Sequence, residues 1–329
     1  MKNALAALLA LSLTAAPAAA SSYQVTHSIA VGGEARWDYV TLDSAAHRLY
    51  VSHGTQTEVI DLQSEKVIGT IAGTEGVHGI AVASDLGLGF TSNGKSNSVT
   101  VFDLATLKTR NTIKVGTGPD AIVYAAAGNR VITFNGRSKD ATVIDAKSGV
   151  VAGTVAIGGR PEYAQAGGNG KVYLNVEDTG ELAVLDPVAL KIERRNSLKP
   201  CDGPSGLAMD SQERVYSVCD NKMMIVSGSD GKRLAQVAIG AGPDGAVWLD
   251  GQAFSANGAD GTITVVGEDA SGKFQAQATI PTAPGARTIA ADPAAHKLYL
   301  PVADYKPAQA GERRQGIAGT FRILVLERQ

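Results

Sequence analysis

The sequence predicts an all-β fold, a seven-bladed β-propeller of four-stranded antiparallel blades, and three observations carry that expectation. An apolar–apolar–acid signal recurs as Val59-Ile60-Asp61, Val101-Phe102-Asp103, Val143-Ile144-Asp145 and Val184-Leu185-Asp186, at intervals of 42, 42 and 41 residues. Degenerate copies follow at Ile225-Val226-Ser227 and Val265-Val266-Gly267, and a last one at Val325-Leu326-Glu327. A second marker keeps the same beat: Pro119, Pro161, Pro204, Pro243 and Pro284, each beside a Gly-rich turn. Third, the 38 glycines follow no collagen-like period and no segment sustains a 3.6-residue apolar repeat, so the chain reads as strands and turns. A fixed period in this range marks a repeat architecture.

The elements follow in order. Lys2, the apolar run from Ala4 to Leu13 and the Ala18-Ala19-Ala20 site read as a signal peptide over residues 1–20. Residues 21–329 then form one propeller domain in a periplasmic or secreted protein, with no later stretch apolar enough to span a bilayer. Units begin near Trp37, Val77, Asp120, Glu162, Ser205, Asp244 and Ala286. Blade 2 shows the pattern: Gly79–Ala83, Gly89–Ser92, Ser98–Phe102 and Asn111–Val115, joined by Asp-, Asn- and Gly-bearing turns. Blade 7 lacks a fourth strand after Phe321–Glu327, and Gln24–Val31 has the pattern to supply it, closing the ring and covering two sheet edges.

Tyr50-Val51-Ser52-His53, Phe90-Thr91-Ser92-Asn93 and Val172-Tyr173-Leu174-Asn175 resemble the signature that names the YVTN repeat family. Turns such as Val115-Gly116-Thr117-Gly118-Pro119 are similar to the rest of its consensus, and the likeness is greatest to the exported YncE-like propellers. The resemblance covers essentially the whole chain after residue 20. It implies a seven-bladed propeller, and it leaves function open between DNA-binding and periplasmic members.

Charge narrows the partners. The formal net charge is −2, and no basic half or stacking platform of aromatics stands out, so nucleic acid is a weak expectation. No phosphate-binding loop, HExxH, haem-attachment site or nucleophile elbow occurs. Cys201 and Cys219, the two cysteines, would pair in an oxidising compartment if their geometry allows.

Superposing the units isolates the positions where blades differ. The residue opening each first strand gives a ring of Asp38, His78, Asp120, Glu162, Ser205, Asp244 and Arg287. The end of each second strand gives another: His53, Asn93, Asn135, Val176, Cys219, Asn257 and Val302. If both face the axial funnel, the carboxylates and asparagines would suit Ca²⁺ or Mg²⁺. Alternatively His78 or His53 acts as a general base beside Arg287, or the rings line a wet channel with carboxylates paired to Arg36, Arg160 and Arg287. Asp304–Thr320 departs furthest from the repeat, and Tyr305, Lys306, Arg313 and Arg314 on it would make a basic lid. By contrast His47 and His296 sit in duplicated first-turn segments, the acids ending the third strands should accept turn N–H bonds, and Met223 and Met224 should fill core. Two functions therefore stand: a periplasmic binding or scaffold propeller taking a small molecule or envelope partner at the funnel, and a metal-assisted hydrolase, lactonase or lyase working there.

Overall fold

A computed structural model describes residues 23–307 and 314–329. The predicted signal segment and Arg313 lie outside those residues. Seven four-stranded antiparallel sheets follow one another around the ring. Blade 1 is built from Val40–Asp43, Arg48–His53, Gln56–Asp61 and Lys66–Ala72, and blade 4 from Pro161–Ala166, Val172–Val176, Glu181–Asp186 and Lys191–Ser197. Blade 7 takes Ala290–Asp292, Lys297–Val302 and Arg322–Arg328 from one end of the chain and its outer strand, Tyr23–Ala30, from the other. The register of that closure runs from Tyr23 opposite Arg328 to Ala30 opposite Arg322.

Burial follows from this stacking. Second and third strands lie between neighbouring blades, so both faces are covered: all six residues of Leu88–Asn93 are buried. Fourth strands form the outer rim and bury little, as in Thr109–Lys114, where Ile113 alone is buried. Charged and Thr side chains on such an edge discourage pairing with other chains. The core is interblade, as where Phe134 and Val143 of blade 3 pack with Leu174 and Leu185 of blade 4. Met223 and Met224 are fully buried in it.

The repeat marker has two structural jobs. Its acid takes the turn that follows: Asp61 accepts from the N–H of Ser64 at 2.7 Å, Asp103 from Thr106 at 2.8 Å and Asp145 from Ser148 at 2.9 Å. Its apolar pair is where pairing to the outer strand slips by one residue, at Val59/Ile60, Val101/Phe102 and Val143/Ile144. A bulge there increases the local twist, which lets flat neighbours fan into a ring. His47 and His296 hold φ of 51° and 54° at the first turn of blades 1 and 7 and are turn residues. The one helical turn among the described residues is Ser84–Leu86, in the matching turn of blade 2.

Candidate functional site in the axial funnel

The first ring is held by backbone and hydroxyl bonds at the inner edge of the blades. Ser52 Oγ accepts from the Asp38 N–H at 2.7 Å, and Ser92 Oγ accepts from Gly79 N–H at 2.9 Å. Neighbouring blades are cross-tied: Tyr39 N–H donates to the His78 carbonyl at 3.2 Å and Gly245 N–H to the Arg287 carbonyl at 2.8 Å. Thr288 Oγ1 donates to the Asp38 carbonyl at 2.6 Å, tying blade 7 to blade 1. These bonds tie the starts of neighbouring blades together at the inner edge.

Asp38, His78, Asp120 and Arg287 converge there. His78 Nδ1 lies 2.5 Å from Asp38 Oδ2 and 3.6 Å from Asp120 Oδ1. Arg287 donates through Nε to Asp244 Oδ2 at 2.7 Å, and its Nη2 lies 3.0 Å from the Trp37 carbonyl and 3.4 Å from Asp38 Oδ1. Of the three arginines expected to neutralise the carboxylates, Arg287 alone forms an ion pair with a ring carboxylate among the described residues, while Arg160 acts on Asp120 and Glu162 only through its charge. Arg160 pairs with Glu177, and Arg36 forms no ion pair among the described residues.

The clustering shifts His78 and three of the carboxylates. Burial disfavours charged His78, but the bond to Asp38 and the nearby Asp120 charge outweigh it and raise its pKa to about 9. Burial pushes Asp120 and Glu162 well above the usual carboxylate range, and the neighbouring carboxylates add to the effect. Asp244 is raised by burial too, against the opposing pull of Arg287. Too few cations reach this level to neutralise four carboxylates.

Above the ring lies a cavity of about 720 Å³. It is eccentric. Asp38, His78, Asp120 and Arg287 reach it, whereas Glu162, Ser205 and Asp244 do not line it. Its wall is basic: Arg36, Lys95, Arg137, Arg160 and Arg314 all contribute. Trp37, 8% exposed, lies in the same wall with an indole N–H that has no acceptor.

The second ring falls behind the wall. Asn93 Nδ2 donates to Thr100 at 2.9 Å, Asn135 Nδ2 to Thr142 at 3.0 Å and Asn257 Nδ2 to Thr264 at 2.9 Å, all buried inside their own blades. His53 is the blade 1 counterpart, with Nδ1 3.1 Å from Glu58 and Nε2 2.7 Å from the Glu34 carbonyl. The proposed oxygen-rich cage therefore loses its asparagines, and His53 is separated from His78. Side chains at these strand ends turn back toward the third strand, the reverse of what a shared funnel level suggests. Cys201 and Cys219 form a disulfide with Cα atoms 5.6 Å apart. From the blade 7 insertion, Tyr305 and Arg314 reach the cavity, with the Arg314 guanidinium 5.9 Å over the Tyr305 ring. Lys306 lines an adjoining hollow of about 410 Å³ instead.

The residues that sequence reading missed sit one step deeper. Tyr39 and Tyr163 follow Asp38 and Glu162, and their rings meet across the axis with centroids 5.1 Å apart. The equivalent residues elsewhere are Gly79, Ala121, Gly206, Gly245 and Thr288. Small residues are required there, since a Cβ on Gly206 would lie 2.4 Å from the Asp244 carbonyl oxygen. Five small residues against two tyrosines at one position of the superposed repeats are the signal that would have found them.

No family model matches the sequence, and no curated protein does. Solved structures do match. The U3-55K structure superposes with a TM-score of 0.77 at 10% identity, over 95% of this chain and 100% of that one. The RRP9 WD40 repeats give 0.78 at 10%, over 96% and 99%. Kuenenia stuttgartiensis hydrazine synthase gives 0.70 at 15%, over 81% and 92%. The chain is a seven-bladed β-propeller. At such identities the likeness shows the fold alone, and a propeller hosts many unrelated functions.

Proposed function

We propose that this propeller is an exported binding protein that takes a small anionic molecule into the mouth of its axial funnel. One observation carries the reading: a cavity of about 720 Å³ whose wall bears Arg36, Lys95 and Arg137, none of them in an ion pair among the described residues. Cations gathered without partners around a concavity raise the local concentration of anions. The orphaned Trp37 N–H adds a donor that a ligand oxygen would satisfy. Export is supported by the leader-like residues 1–20, by the YVTN-type motifs and by the Cys201–Cys219 bond, since disulfides persist in oxidising compartments.

The test uses the protein's own reporter. Trp37 is one of two tryptophans, so intrinsic fluorescence follows a titration with gluconate, succinate or inorganic phosphate at low salt. Saturable change should appear for at least one probe and weaken about tenfold in Arg36→Ala and in Arg137→Ala, consistent with the loss of a charged hydrogen bond. Absence of any response at millimolar probe would overturn the reading.

A second reading, a hydrolase or lyase acting on a lactone or sugar acid, is favoured by the 2.5 Å His78–Asp38 contact, which fixes the imidazole through Nδ1 and leaves Nε2 to give a proton as a general acid below its raised pKa of about 9 and to take one above it. Proton NMR of the same mixtures reports it directly as turnover.

A further inference from the structure

We infer that Asp38, His78 and Asp120 form a binding site for one divalent transition-metal ion at the floor of the funnel. These residues come from three consecutive blades at one register, and an atom from each lies within 4.8 Å of the other two. No other group of three His, Cys, Asp or Glu residues among the described residues meets that geometry.

The independent observation is Asp120 Oδ1. This oxygen is fully enclosed, points toward His78 Nδ1 and accepts no hydrogen bond. A buried carboxylate oxygen is normally satisfied by donors or by a cation. The nearby donors are committed elsewhere: Arg287 serves Asp244, Asp38 and the Trp37 carbonyl, and Arg160 serves Glu177. A cation among the three ligands removes the orphan and relieves the repulsion between two carboxylates at once.

Donor type selects the metal. Calcium asks for six to eight oxygens, and the oxygens once expected to complete such a cage are unavailable. Asn93, Asn135 and Asn257 are bonded inside their hairpins, Asp244 is held by Arg287, and Glu162 lies outside the group of converging ligand atoms. What remains is one imidazole nitrogen and two carboxylates, a set that suits Zn²⁺ or its neighbours. Gly94 makes room for this imidazole, because a Cβ there would lie 2.7 Å from His78 Nε2. With three protein ligands and a cavity above, the ion keeps open positions toward the solvent side. The cation site stands without the anion reading, and a metal on Nδ1 would replace the Asp38 bond that orients the imidazole in the acid–base reading.

The test is a calorimetric titration of tag-free, chelator-treated full-length protein with Zn²⁺, Mn²⁺, Ca²⁺ and Mg²⁺ alone. One Zn²⁺ per chain should bind at least a hundredfold more tightly than Ca²⁺, and the Co²⁺ form should show visible d–d bands. Asp120→Asn should weaken Zn²⁺ at least tenfold, while His296→Gln, on the opposite face, should bind as the wild type does. Absence of stoichiometric binding to the wild type, equal affinity for Ca²⁺, or unchanged affinity in Asp120→Asn would each overturn the proposal. The wild-type titration decides even if the variant does not fold. Because no organic anion is present, its failure is separate from failure of the fluorescence test.

Discussion

Tyr39 and Tyr163 belong to blades 1 and 4, far apart around the ring, yet their aromatic centroids are 5.1 Å apart on the axis. Both side chains fill space that five smaller residues leave open, so the channel is packed beneath the carboxylate ring. Replacing Tyr163 by Ala should therefore cost about 3 kcal/mol, as for large-to-small changes in a core. Tyr163→Phe should stay within about 1 kcal/mol, because the hydroxyl forms no hydrogen bond among the described residues. Urea midpoints at unchanged slope measure both. Equal losses in the two variants would contradict the packing account.

The buried His53–Glu58 pair predicts a window of pH. Burial opposes the charge on each, but their mutual bond outweighs it: His53 is raised from 6.5 and Glu58 lowered from 4.5. Stability from His53 is full below its ordinary value and is lost as pH rises through its raised one. That from Glu58 is full above its ordinary value and is lost as pH falls through its lowered one. The difference between wild type and Glu58→Gln should peak between pH 4.5 and 6.5, at about 2 kcal/mol for a charged hydrogen bond. Chemical denaturation across pH 4 to 9 checks it, and a flat difference would contradict it.

The disulfide should be measurable by simple reduction. Cys201 and Cys219 are 18 residues apart and buried, and the bond ties the segment leading into blade 5 to the end of that blade's second strand. In the chain-entropy account a loop of this size is worth about 3 kcal/mol. Cys201→Ser with Cys219→Ser should lower the thermal midpoint by several degrees, and dithiothreitol should then have no further effect. A midpoint unmoved by the double substitution would sink this estimate.

Blade count, strand ends and the first ring were legible because the turn chemistry repeats with the blade. In blades 2 and 3 the residue before the first-ring position faces the second-ring Asn, Val77 opposite Asn93 and Pro119 opposite Asn135. Side-chain direction was harder to read. Asn93 and Asn135 sit beside the funnel in sequence terms but answer to Thr100 and Thr142 on the third strand. A signal existed: blade 1 replaces Asn by His53 and the matching Thr by Glu58, a paired change that marks contact inside a hairpin. The eccentricity of the cavity was not legible, because it depends on where Tyr305 and Arg314 come to lie and which arginine reaches which acid.

The closing strand has a temporal consequence. Thr26 and Val325 are bonded across 299 residues of chain, so their pairing encloses nearly the whole protein in one loop. Entropy for that closure grows slowly with length, yet contacts this remote in sequence form late and slowly. Tyr23–Ala30 is made well before its partner Arg322–Arg328. Until then, at least two strand edges await each other, and any chaperone or aggregating neighbour competes for them on equal terms.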